Sequence, residues 1–263
     1  MASNTNPDEM TPSAMVEKSI LTGQRPPADL VEVQPYQQLR AAVAVAFSGM
    51  KAAAAQDGII LTIASSYRSF AQQEQIWLKK LRGERPVLNR LQQQVDLHAL
   101  TPAAQISAIL VYSALPGTSR HHWGTDLDVF DAAALPEGYR LQLIPEEYQA
   151  GGPCAHLNDW LAQHAEKFGF FRPYQCDNGG VAIEPWHLSY APVAAELLRE
   201  LTLDAVKLAI DSSQLPHKDV LCGMLKDIMP RCVYNISPPP WPALHPSGRG
   251  DHVMQPPKDE DAP

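Results

Sequence analysis

Residues 168–190 read FGFFRPYQCDNGGVAIEPWHLSY. The runs FGFFRPY and GGVAIEPWHLSY are rich in β-branched and aromatic residues and read as strands. Two strands this close in sequence suggest an antiparallel hairpin. Upstream, residues 155–168 read as a helix that Gly169 ends; downstream, residues 192–211 and 217–229 read as two more. TDLDVF (125–130) alternates polar and apolar residues like a strand. IILTIASSYRS (59–69) has the β-branched run of a buried strand, and FAQQEQIWLKKL (70–81) follows as a helix. The Ala-rich stretch 36–56 reads as a helix that Gly58 stops. Residues 88–113 read as two helical pieces, broken at Thr101-Pro102 with Thr101 as the cap. Interspersed helices and strands with an antiparallel pair define an α+β fold, and no internal repeat is visible. Residues 1–34 are polar and Pro-containing and are expected to form a loosely ordered arm. Residues 35–232 form the single domain, and 233–263 a Pro-rich, acidic tail. Its Arg249-Gly250-Asp251 triplet reads as chance.

The chain has 263 residues, 45% hydrophobic and 19% charged, and a formal net charge of -8. That is enough apolar material for a core. The acidic balance and the lack of a Lys/Arg cluster argue against nucleic acid as a partner. No apolar run approaches the ~18 residues of a membrane span. The first thirty residues lack the basic start, apolar stretch and cleavage site of an export signal, so the expected compartment is the cytoplasm. A removed signal would place the protein in the periplasm. Cys154, Cys176, Cys222 and Cys232 have no metal-knuckle spacing. They are expected as buried or half-buried thiols, with local pairs Cys154–Cys176 and Cys222–Cys232 as the alternative.

Two segments carry chemistry: Ser119-Arg120-His121-His122-Trp123-Gly124-Thr125-Asp126-Leu127-Asp128 and Glu184-Pro185-Trp186-His187. A catalytic zinc takes three nitrogen or carboxylate ligands and keeps one corner open for water, whose pKa falls to about 7. A nearby carboxylate must then accept a proton. Glu184, three residues before His187, lets one segment supply both a ligand and that base. HExxH helices do the same from a single turn, but HExxH is absent here and Pro185 argues for a strand end or bulge. Singly these residues are weak signals: a lone His is commonly structural, Asp126 and Asp128 can cap a turn, and Trp123 and Trp186 can be core.

Jointly, Ser119-x-His121-x-x-Gly124-x-x-x-Asp128 followed by Glu184-Pro185-Trp186-His187 resembles the VanY-like D-alanyl-D-alanine carboxypeptidases. These belong to the zinc peptidase group that includes lysostaphin and the hedgehog signalling domain. Ser66-Tyr67-Arg68-Ser69 with Gln73 is similar to that family's upstream motif, so the match runs over about residues 60–190. The resemblance implies a small antiparallel sheet carrying a zinc site, flanked by helices. It implies His121, Asp128 and His187 as zinc ligands and Glu184 as base, then acid to the leaving amine. Arg68 would bind substrate near the cut, clamping a carboxylate or polarising the scissile carbonyl. Ser119 and Gln73 would add hydrogen bonds to substrate, and Trp186 and Tyr190 would wall the pocket.

The chain departs from the pattern at Arg120, where the family often has an acid, and at Asp126, where a small apolar residue is common. Asp126 is expected to orient a metal ligand. His121 is preferred to His122 because only His121 keeps the family spacing to Gly124 and Asp128.

The resemblance implies peptidoglycan stem peptides or muropeptides as substrates. One version cuts the last D-Ala from a tetrapeptide (L,D), the other from a pentapeptide (D,D). A cytoplasmic location favours L,D-cleavage, because tetrapeptides return there as recycled wall fragments. An endopeptidase is a further enzyme reading. A non-catalytic zinc-stabilised binding module is the reading from another class, and Glu184 speaks against it.

Overall fold

The computed structural model describes residues 12–239. The main sheet has four strands: β3 (Leu61–Ser65), β4 (Asp126–Asp131), β5 (Phe170–Phe171) and β6 (His187–Tyr190). They lie in the order β3-β4-β6-β5, and each neighbouring pair is antiparallel. A two-stranded hairpin, β1 (Leu30–Gln34) with β2 (Gln37–Arg40), stands apart from it. The helices are α1 (Pro12–Leu21), α2 (Ala41–Gln56), α3 (Phe70–Leu81), α4 (Pro102–Ile109), α5 (Ala155–His164), α6 (Ala191–Glu200), α7 (Leu203–Asp211) and α8 (Lys218–Ile228). This is the α+β arrangement.

The sheet divides its faces by the two-residue period of a strand. Leu127 and Val129 of β4 and Leu188 of β6 join a core with Val43 and Phe47 of α2 and Leu157 and Trp160 of α5. The alternate positions, Asp126, Asp128, His187 and Ser189, are all buried and polar. A second core packs the remaining helices, with Trp77 of α3, Ile109 of α4, Val206 and Ile210 of α7 and Leu225 of α8 at its centre. A cleft runs between α3, the Arg120–Trp123 turn and the polar face of the sheet.

Local chemistry sets the ends of the elements that border this cleft. Ser69 Oγ accepts from Gln72 N (3.2 Å) and Gln72 Oε1 accepts from Ser69 N (2.8 Å), a capping box that starts α3 just after Arg68. Thr101 caps α4 by accepting from Ala104 N, with Pro102 in the first turn. Register slips between Ile63 and Ser65 in β3, which sets Ser65 opposite Asp128.

Several expected bounds are corrected. Within residues 1–34, the described part from Pro12 onward carries α1 and β1 rather than an arm without secondary structure. Leu21 is buried and its carbonyl accepts from Trp123 Nε1, a tertiary contact that no local period reveals. The helix expected from residue 36 begins at Ala41, because Gln37–Arg40 pairs as β2. Of residues 88–113 only Pro102–Ile109 is α-helical; Leu88 makes an isolated bridge to Gln94. The helix expected over 192–211 is two, with Thr202 capping the second through Ala205 N. β6 covers only the end of GGVAIEPWHLSY. Val233 is buried and Ile236 packs on the second core, so the domain extends at least four residues into the expected tail. The tail beyond residue 239 and its Arg-Gly-Asp triplet lie outside the described residues. All four cysteines are free thiols.

Gly124 ends the Arg120–Trp123 turn with φ +67°, and its carbonyl accepts from Arg40 N (3.0 Å). A Cβ there would also stand 2.7 Å from Leu30 Cδ2. The left-handed conformation costs a non-glycine residue about 1–2 kcal/mol. Gly124→Ala is therefore expected to lower unfolding stability by about that amount in urea titration; an unchanged midpoint would remove this constraint from the account.

Candidate metal centre

β4 and β6 pair with Asp128 opposite His187 and Asp126 opposite Ser189, so the four side chains share one face. His121 comes from the Arg120–Trp123 turn. One atom each from His121, Asp128 and His187 lies within 4.8 Å of the others, and all three residues are buried.

Hydrogen bonds around the cluster fix both imidazoles. His121 Nδ1 lies 2.8 Å from Ser66 O, which can only accept, so Nδ1 donates there and Nε2 faces the cluster. His121 Nε2 lies 3.4 Å from Asp128 Oδ2. His187 Nε2 donates to Asp126 Oδ1 at 3.0 Å and turns Nδ1 inward, 3.4 Å from Asp128 Oδ1. Glu184 Oε2 lies 3.2 Å from the same Nδ1. Asp128 Oδ1 is buried with no hydrogen-bond partner. Two imidazole nitrogens facing a buried, unpartnered carboxylate oxygen fit a bound cation, which would take the place of the proton on His187 Nδ1 and satisfy the Asp128 oxygen. Two imidazole nitrogens and one carboxylate oxygen are a donor set suited to zinc.

Asp126 is fully enclosed. Its Oδ1 accepts from Arg120 Nε (2.8 Å) as well as from His187, and its Oδ2 accepts from Thr125 Oγ1 (2.7 Å) and Ser189 Oγ (3.1 Å). Arg120 Nη2 donates to Ser189 Oγ (2.6 Å) and closes the ring of bonds. The guanidinium also lies 4.9 Å from the centre of the Trp123 ring and 5.8 Å from that of Phe171. Burial works against the Asp126 carboxylate, but Arg120 and His187 hold it well below the usual carboxylate range. Burial pulls His187 down, yet its bonds to Asp126 and Glu184 push it up to about 10. Burial raises Glu184, against the pull of His187.

The other expected site residues divide into two groups. Arg68, Ser119 and Trp186 line the same cleft, of about 310 Å³, as the metal cluster and Glu184. Arg68 Nη1 donates to Gln73 Oε1 (2.6 Å) and Nη2 to Ser65 Oγ (2.8 Å). Gln73 is a correction: it is buried, Nε2 donates to Ala114 O, and its two polar atoms hold Arg68 and the loop rather than substrate. Tyr190 is another correction. It falls on the opposite face of β6 from His187 and Ser189 and packs on Phe170 at 5.4 Å between ring centres, away from the cleft. His122 stays out of the cluster: Nε2 accepts from Gly117 N, Nδ1 contacts Arg68 O, and burial holds its pKa down at about 3. Arg120 and Ser65 went unread in the sequence as parts of the site. The signal for Arg120 was present, since Arg120 and Asp126 are the two departures from the family pattern and they bond to each other.

A family model for VanY, D-alanyl-D-alanine carboxypeptidase, matches residues 36–193, and the chain belongs to that family. An uncharacterized protein of Haemophilus influenzae is 36% identical over 116 residues, 43% of this chain and 88% of that one. A D-alanyl-D-alanine carboxypeptidase of Enterococcus faecalis is 27% identical over 146 residues, 54% of this chain and 44% of that one. Among solved structures, a vancomycin-resistance D,D-pentapeptidase VanY variant in complex with Zn(II) gives a TM-score of 0.48 at 22% identity, covering 68% of this chain and 92% of that one. The LD-carboxypeptidase LdcB gives 0.46 at 21%, covering 80% and 81%.

Removing the negative charge beside His187 while keeping its shape tests this arrangement. Asp126→Asn is expected to weaken zinc affinity by about 10–100-fold, the usual effect of losing a partner that orients a ligand. Competition against a chelator of known affinity measures it; wild-type affinity in the variant would show that Asp126 does not set the His187 orientation.

Proposed function

We propose that this chain is a zinc-dependent carboxypeptidase that releases a C-terminal D-alanine from peptidoglycan stem peptides. The observation that carries the reading is the convergence of His121, Asp128 and His187 with Glu184 on the floor of one cleft. His121 Nε2, an Asp128 oxygen and His187 Nδ1 would hold the zinc. When bound, it acidifies water and polarises a carbonyl.

The protein's own groups do the rest. Glu184 is buried and raised in pKa by that burial, so it is poised both to take a proton from the attacking water and to return one to the leaving amine. Arg68 is held by Gln73 and Ser65, and its charge acts on Asp128 and Glu184. A cation fixed beside the metal cluster supports a role for Arg68 in stabilising the negative charge that develops on the scissile carbonyl oxygen. Ser119 and Trp186 line the same space, which supports a role for both in contacting the peptide. The matched relatives carry both D,D- and LD-carboxypeptidase names, so a tetrapeptide and a pentapeptide are both offered in the assay.

Glu184→Gln is nearly isosteric and leaves the three proposed ligands intact. D-Alanine release, measured at equal zinc occupancy, is expected to fall by about 10²–10⁴-fold, with KM changing much less. A variant that keeps most of its activity would exclude Glu184 as the base.

Arg68→Lys keeps the charge but cannot hold both Gln73 and Ser65 in one plane. A fall in kcat/KM of about 10²–10³-fold is expected, as for loss of one donor to the developing oxyanion. Wild-type kcat/KM in this variant would remove Arg68 from the reaction.

A further inference from the structure

The cleft has a second cation that the mechanism above does not use. Gln73, Trp77 and Lys80 stand at i, i+4 and i+7 of α3 and so share one face of it. Gln73 Nε2 and Trp77 Nε1 both donate to Ala114 O, and Lys80 Nζ donates to Ser113 Oγ at 2.6 Å. This face runs for about 10 Å, at 1.5 Å per residue, from the group that holds Arg68 to the Lys80 ammonium. Lys80 lines the same cleft as Arg68, Glu184 and the metal cluster, with Arg85 beside it.

Among the described residues, Ser113 Oγ is the one hydrogen-bond partner of Lys80, and an ammonium has three donors. No carboxylate among them lies within ion-pairing distance of Arg68, Lys80 or Arg85. Three cations thus line one wall, and the acids of the cleft, Asp128 and Glu184, act on Arg68 and Lys80 only from beyond contact distance. Burial lowers the Lys80 pKa to about 8 against the pull of Glu184, with Arg85 and Arg68 adding to the lowering, so the ammonium is desolvated and has no carboxylate among the described residues in contact. Arg68 spends two of its five donors on Gln73 and Ser65, which fixes the guanidinium in place beside the metal cluster.

We propose that Lys80 binds a carboxylate of the peptide substrate and thereby sets which peptides this cleft accepts. This rests on the carboxypeptidase reading given above. A stem peptide offers that chemistry from two sources: the free C-terminal carboxylate of the leaving residue, and a D-glutamyl carboxylate on the acyl side. The field of Arg68, Lys80 and Arg85 favours either one over a neutral end.

The test uses the zinc-loaded full chain and three peptides ending in D-alanine. One has both carboxylates free, one is a C-terminal amide, and one is amidated at the acyl-side carboxylate. Lys80→Met is expected to lower kcat/KM on the first by about 10–100-fold, the range for a charge-assisted hydrogen bond. It is expected to leave unaffected the peptide whose Lys80-bound carboxylate is amidated, and which amide does so identifies the carboxylate. Lys80→Arg should restore part of the loss. Equal losses on all three peptides, or no loss on any, would overturn the proposal and leave Lys80 as a tie between α3 and Ser113.

Two further measurements keep the test decisive. If Lys80→Met does not fold, Ser113→Ala removes the tie and keeps the ammonium. Retained preference for the charged peptide then supports the proposal, and lost preference overturns it. If the wild type releases no D-alanine, the carboxypeptidase reading fails by itself. Calorimetric binding of the same peptides to wild type and Lys80→Met then reads the carboxylate preference directly, and equal affinities overturn it.

Discussion

The site depends on the pairing of β4 with β6 in one register, Asp128 opposite His187 and Asp126 opposite Ser189. A slip of β6 by one residue would send His187 and Ser189 into the core and bring Leu188 to the cleft. The apolar face of the two strands resists that slip, because Leu127, Val129 and Leu188 are enclosed by α2 and α5. The polar face resists it through Asp126, whose two oxygens take four hydrogen bonds from Arg120, Thr125, His187 and Ser189. Hydrophobic register and polar satisfaction thus specify the same alignment.

That network also explains how the site tolerates its charge. A buried carboxylate is costly unless paired and fully hydrogen-bonded. Asp126 has Arg120 as a counter-charge, and Arg120 in turn lies against Trp123 and Phe171. The compensated pair sits behind His187 and turns its Nδ1 toward Asp128 and Glu184. Ser66 O does the equivalent for His121, and Ser65 Oγ with Gln73 does it for Arg68. His187, His121 and Arg68 are therefore each aimed by a neighbour behind them, which is how a site gains precision from a rigid sheet and a short turn.

Much of this was legible in the sequence. His121, Asp128, Glu184 and His187 are adjacent in two short motifs, and the pairing of their strands brings the motifs together. α3 was readable because its start is written locally, as a Ser69–Gln72 capping box. What escaped reading depends on partners distant in sequence. Arg120 draws its meaning from Asp126 and from Ser189, 69 residues away. Gln73 reads as a substrate contact until Ala114, 41 residues on, takes its amide. Tyr190 differs from His187 only in strand parity, which a motif does not encode. α1 and β1 lack a strong period because their contacts lie elsewhere, as with Leu21 O and Trp123. Lys80 had no motif at all, and its standing comes from its place in the cleft with no carboxylate among the described residues within ion-pairing distance.

The most direct measurement is an anomalous-scattering map at the zinc edge from crystals of the zinc-loaded protein. The account predicts one peak bonded to His121 Nε2, an Asp128 oxygen and His187 Nδ1, at about 2.0–2.2 Å, with one further position open to solvent and Glu184 beside it. A peak bonded to His122, a fourth protein ligand closing the site, or no peak within bonding distance of these three residues would contradict it.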